Sequence, residues 1–363
     1  MKIWKIWIIG VVALFVGCAT PEAVSTEFTR NAMLDNLVNN VVLPLNAEFV
    51  AQTAVLETAA TTFSNEPTSA NLEALQNEWR TTSNLWQQAK LYEFDRMMVL
   101  HNQIAKSPTD VEFIEDILAR NLNNLDESFI ESIGSTSKGL PAIEYFIFAA
   151  DGNEAVLAQL NDESSRMQYM VAATQNLHNK AKELEAYWLP EGNDYANTFI
   201  NADGGGEQFN SSLSMLANQI VAIIEVGIRD KLGRPLGIAA GDGPHPEEVE
   251  AILSGNSLAQ LKQNLTTAEI AFTGGEGLGL DDYLDYLEAE SDDVLLSQKI
   301  NDQFAATYAA LDAVQPPLKT AVSEDTATVQ AAYDEMRKLL VLIKVDMANQ
   351  LGVTITFNDS DGD

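Results

Sequence analysis

The chain has a single cysteine, Cys18, in 363 residues. No disulfide can close within it, and any thiolate metal cage is excluded. Histidine is almost as scarce: His101, His178 and His245 are the whole set, and none stands in a His-x-x-x-His or His-Glu-x-x-His pattern. Each reads as a solvent-exposed or capping residue. Cations are few, with 21 Lys and Arg against 53 Asp and Glu and a formal net charge of −32. Such a surface repels nucleic-acid phosphates and anionic headgroups, which excludes nucleic acid as a partner and favours cations, basic peptides or proteins. There is no phosphate-cradling glycine loop, nucleophile elbow or basic aromatic patch, and Gly274-Gly275-Glu276-Gly277 lacks the preceding strand a nucleotide fold requires. Every apolar run beyond the N-terminus is interrupted by charged or amide residues, so no second membrane span is read.

What is present begins at the N-terminus. Met1-Lys2-Ile3-Trp4-Lys5 is a small basic region, and the apolar run Ile6 to Val16 that follows is too short to span a bilayer. That is the layout of a secretory signal over residues 1–17. Phe15-Val16-Gly17-Cys18 resembles the lipobox of bacterial lipoproteins, in which cleavage before the cysteine leaves a thiol and an amine to be acylated, palmitate being a typical chain. Several acyl chains on one residue anchor stably where one does not. The expectation is a lipidated tether at 18–25, a membrane partner through Cys18, and a place in the cell envelope, on the outer membrane facing periplasm or cell surface.

Helical periodicity fills the rest. Leu34, Val38, Val41, Leu45, Phe49, Leu56, Ala59 and Phe63 step by threes and fours, with a kink expected at Pro44. Leu72, Leu75, Trp79, Trp86 and Ala89 form a second stripe, and Met167, Met170, Thr174, Leu177, Ala181, Leu184 and Trp188 a third. Shorter helices are expected near 111–118, 125–133, 249–253, 258–271, 280–290 and 293–314. A final stripe, Val329, Tyr333, Met336, Leu340, Ile343 and Met347, follows an N-cap at Ser323 to Asp325. Val353 to Phe357 is the only β-like alternation. The fold class is all-α: two antiparallel helix-bundle domains, 26–195 and 205–353, and a short extended acidic tail at 354–363. That tail fails the EF-hand template, having no acid at the first loop position and no closing glutamate.

One segment carries the chemistry. Ser137-Lys138-Gly139-Leu140-Pro141-Ala142-Ile143-Glu144-Tyr145-Phe146-Ile147-Phe148 opens with a turn glycine and a proline suited to the first helical position. The helix that follows is apolar on every side except at Glu144. A helix apolar all round is buried, and a buried carboxylate must be paired or neutralised. Either Glu144 answers the positive terminus of its own helix, or it is a functional acid lining a cleft.

This segment is similar to the signature of the imelysin family, bacterial envelope proteins with a peptidase label and links to iron acquisition. Three further stretches agree in order: Asp230 to Gly237, the turn Ser254-Gly255-Asn256-Ser257-Leu258, and the ending Lys344-Val345-Asp346 with Leu351 to Asp359. The resemblance implies two four-helix-bundle-like domains facing each other, with the signature lining the cleft between them and Gly139 and Glu144 as binding residues. Many members carry Gly-x-His-x-x-Glu, whose histidine and glutamate could both reach a metal from one helical face. Here the histidine position is Pro141, which has no ligand atom. Glu144 remains the candidate general base of an imelysin-type metallopeptidase; as a binding or accessory protein, the chain would take iron, an iron carrier, a peptide or another envelope protein. Carboxylates alone could still hold a divalent metal or iron.

Overall fold

The computed structural model describes residues 28–120, 122, 124–202 and 211–356. Cys18, the leader, the tether, the Gly204 to Gly206 run and the end from Phe357 onward lie outside the described residues. The architecture is all-α. Helix α1 runs over 30–65, α2 is Ser69–Ala89, α3 Met97–Ile104, α4 Gly139–Ile147, α5 Ser164–Trp188, α6 covers 212–233, α7 is Ser257–Thr273, α8 Leu296–Ala313 and α9 covers 326–351. Shorter helices fill the connections, and some were not foreseen: Tyr195–Asn201 forms one, and Leu318–Glu324 starts a helix directly after Pro317, ahead of the expected cap.

Side-chain caps set several starts. Thr29 Oγ1 accepts from Ala32 N to open α1, Thr68 Oγ1 accepts from Asn71 N to open α2, and Gly274 at φ +70° closes α7 in the left-handed region. The irregularity expected at Pro44 is a π-helical stretch, Leu37–Val42, directly upstream. Proline cannot donate to the preceding turn, and a π stretch accommodates such a break without ending the helix.

The apolar stripes read from sequence are the core. Helix α1 packs along α2 and α5, α4 lies on α5, α8 packs on α9, and α2 meets α7. Phe49, Leu56, Phe63, Leu72, Trp79, Leu177 and Trp188 are all essentially inaccessible, and the buried apolar residues form one continuous cluster from Met33 to Val353. The segment 212–233 is long and apolar enough to cross a bilayer, but it is mostly buried inside the protein. Two expectations fail. Residues 249–253 are turns rather than helix, because the chain there wraps toward Glu144. The only strands among the described residues are Glu290–Ser291 and Val294–Leu295, a two-residue antiparallel pair, while 353–356 forms no strand.

Candidate functional site

Gly139 positions the site by closeness. Its φ is +73°, and a Cβ there would stand 2.2 Å from the carbonyl oxygen of Ile104 and 2.7 Å from that of Gln103. Only glycine lets the end of α3 abut the start of α4. Trp79 Nε1 donates to Leu140 O at 2.9 Å, which pins the first turn of α4 to α2. Pro141 and Glu144 then face a cleft of about 350 Å³ lined by parts of α2, α3, α4, α6 and α7 together with the 249–256 turns.

Glu144 is 9% exposed, and its Oε1 accepts a hydrogen bond from Ser254 N at 2.9 Å. The carboxylate therefore answers a backbone donor from a distant turn, not the terminus of its own helix. Burial pushes the carboxyl above its ordinary range, opposed by the Ser254 hydrogen bonds and by the nearby Arg80 guanidinium. Arg80 in turn donates to Ser254 O at 3.3 Å and stacks over Phe148.

A second acid, Glu250, is held from another direction. Its Oε2 lies 2.6 Å from the Nζ of Lys231, a lysine only 2% exposed, which also donates to Gln87 Oε1 at 3.4 Å. Burial alone would raise the Glu250 carboxyl, but Lys231 and Lys90 hold it down at about 2.

His101 corrects the expectation of an exposed histidine: it is 4% exposed. Its Nδ1 donates to Glu93 Oε2 at 2.8 Å, its ring packs edge-on against Trp86, and its Nε2 is buried without a partner. Because Glu93 claims the proton on Nδ1, Nε2 is the ring nitrogen left to face the cleft. The other two histidines lie elsewhere. His178 Nδ1 meets Thr53 Oγ1 at 2.9 Å, and His245 bridges Asp242 and Glu247 in its loop.

Sequence reasoning missed Lys90, Glu93, His101, Lys231 and Glu250. A signal existed for two of them. Lys90 continues the spacing of Trp79 and Trp86 on the core-facing stripe of α2, and His101 sits between the buried Met97 and Ile104 on α3. A polar residue at an apolar register is where to look.

The cleft has one histidine and several carboxylates, but among the described residues no group of three or more His, Cys, Asp or Glu side chains is placed to hold a metal ion. A catalytic zinc takes three protein ligands and an open position, so this donor set does not fit one. What the site offers is a partly enclosed mixture of charged and amide groups beside apolar side chains.

The imelysin family model matches residues 43–343, and the chain belongs to the imelysin family. Iron-regulated protein A of Synechococcus elongatus is 25% identical over 322 residues, covering 86% of this chain and 82% of that protein. Among solved structures, an imelysin-like protein from Psychrobacter arcticum superposes with a TM-score of 0.72 at 19% identity, over 90% of this chain and 96% of that one. An iron-regulated protein A precursor from Parabacteroides distasonis gives 0.68 at 18% identity, over 88% and 94%. These two likenesses establish the fold.

Proposed function

We propose that this chain is an envelope protein of iron acquisition that binds its ligand in the cleft around Glu144, is held at the membrane by acylated Cys18, and acts by binding rather than by cutting peptides. The observation that carries the reading is convergence. Three stretches far apart in sequence meet at this one cleft, Glu144 taking the Ser254 backbone donor and Lys231 taking Glu250. The relatives' names supply the link to iron. Pro141 at the motif histidine position, together with the incomplete donor set, argues against a metallopeptidase.

Equilibrium dialysis of the purified protein against iron(II), and against iron(III) supplied as a chelate, followed by elemental analysis, tests the reading. Saturable retention of iron in one of these forms, changed by Glu144→Gln, is expected. No retention in any form would sink it. Chelator-sensitive cleavage of an unfolded protein substrate, lost in Glu144→Gln, would instead restore the peptidase.

A further inference from the structure

Five charged or ionisable side chains line the cleft: Lys90, Glu93, His101, Glu144 and Glu250. Four of them are committed. Glu250 is paired with Lys231, Glu93 with His101, and Glu144 with Ser254 N. Lys90 is the exception: among the described residues its ammonium has no hydrogen bond or ion pair, though it sits deep in the cleft within the fields of Lys231, Glu250, Glu93 and Asp230. A charge taken largely out of water without a partner is costly unless something supplies the partner. Around it stand side chains of a different kind. Met98 is exposed, and Pro141, Ala222 and Val226 are partly open beside it.

We infer that the cleft takes a carboxylate-bearing organic anion, whose carboxylate pairs with Lys90 Nζ and whose carbon skeleton lies against Met98, Pro141 and Val226. The inference rests on the reading of this cleft as the ligand site and names the ligand's class. It also says in what form iron would enter. A bare cation approaching Lys90 meets a like charge, whereas an anionic carboxylate chelate of iron meets its counterion. The protein's overall negative charge opposes an incoming anion at long range, but at physiological salt that field is screened within about 8 Å, and the pairing inside the cleft decides.

Isothermal titration of the full-length protein with citrate and with ferric citrate, at physiological salt, tests this. Both are expected to bind at one site. Lys90→Gln is expected to weaken binding by about tenfold or more, and Lys90→Arg, which keeps the charge, by less than about threefold. Affinity is expected to fall as pH rises through about 8, where burial and the like charge of Lys231, opposed by Glu250, Glu93 and Asp230, bring Lys90 to lose its proton.

A second measurement needs no variant. Citrate should slow acetylation of Lys90 in the native protein, read by mass spectrometry. Absence of citrate and ferric citrate binding, binding that Lys90→Gln leaves unchanged, or acetylation indifferent to citrate would overturn the inference. Iron retained from chelate-free iron(II) equally by wild type and Lys90→Gln would overturn it while leaving the iron-binding cleft standing. Citrate bound through Lys90, with no iron retained in any form, would do the reverse.

Discussion

Helix α2 belongs to two contacts of opposite chemistry. With α1, which packs in turn on α5, it builds a wall of fully buried apolar side chains, among them Phe49, Leu56, Phe63, Leu75 and Leu177. With α7 and the turn before it, it builds a polar seam. Asn264 Nδ2 donates to Gln87 O at 2.9 Å, Thr267 Oγ1 to Gln88 O at 3.0 Å, Gln260 Nε2 to Ser83 Oγ at 2.8 Å, and Asn256 Nδ2 to Asn84 Oδ1 at 2.9 Å. Apolar burial is non-directional and scales with area, so the wall supplies stability. Directional amide bonds add little net energy each, but fix one register between the two helices. The cleft lies at the end of the seam and shares Ser83, Gln87 and Gln260 with it. The cleft proposed to bind a ligand is thus placed where the protein has already arranged its polar atoms.

The contrast is easiest to break in the wall. Phe63→Ala removes a side chain that is 0% exposed and is expected to cost about 3–5 kcal/mol of unfolding free energy, measured by urea titration. Asn264→Ala in the seam is expected to cost about 1–3 kcal/mol, because Gln87 O loses a donor while the Asn264 Oδ1 that goes with it has no partner in the folded protein. Equal costs at the two positions would mean that the seam contributes to stability as the wall does.

The same contrast explains what the sequence reveals. Stripes at helical spacing mark apolar burial, so α1, α2, α5 and α9 are legible from Leu34 to Met347. Glu144 is legible because it is a lone acid in an apolar helix. The seam is not, because Gln87, Gln88, Gln260 and Asn264 are residue types equally at home on a solvated face. Nothing local says that these amides meet each other across more than 170 residues of chain. Lys231 is hidden for a related reason: its stretch is similar to a family pattern, but its role depends on Glu250 approaching from a turn that lacks helical periodicity. Proline and glycine around 233–246 advertise only a loop.

A substitution at Lys231 sharpens the comparison, since this ion pair ties α6 to the turn that faces α2. Lys231→Met leaves Glu250 without its nearest cation, and a broken buried pair costs about 3–5 kcal/mol. Glu250 keeps 37% of its side chain open, so screening reduces the expected loss to about 1–3 kcal/mol. The sign with pH follows from a folded carboxyl held near 2, below its ordinary value of 4.5. Its stabilisation is fully present above the ordinary value and is lost as pH falls through about 2. The gap between wild type and Lys231→Met, followed by urea titration across pH, should therefore be widest near neutrality and narrow steadily in acid. A gap constant with pH would mean that Lys231 acts by packing alone.

The smallest expected effect is at Glu144, where wall and seam chemistry meet. Its carboxyl lies above the ordinary range because burial disfavours the charged form, so between its ordinary and its folded value the native state holds the extra proton. Stability must then decrease as pH rises across that window. Glu144→Gln keeps an oxygen to accept from Ser254 N and removes the charge, so at neutral pH the variant should match or exceed wild-type stability within about 1 kcal/mol and lack that decrease. Thermal melts at several pH values measure it. A large destabilisation would make the carboxylate a structural tie between α4 and the Ser254 turn. A neutral or favourable result, with altered ligand retention, would mean that the chain keeps a charge its fold does not need, and a ligand is then the reason for it.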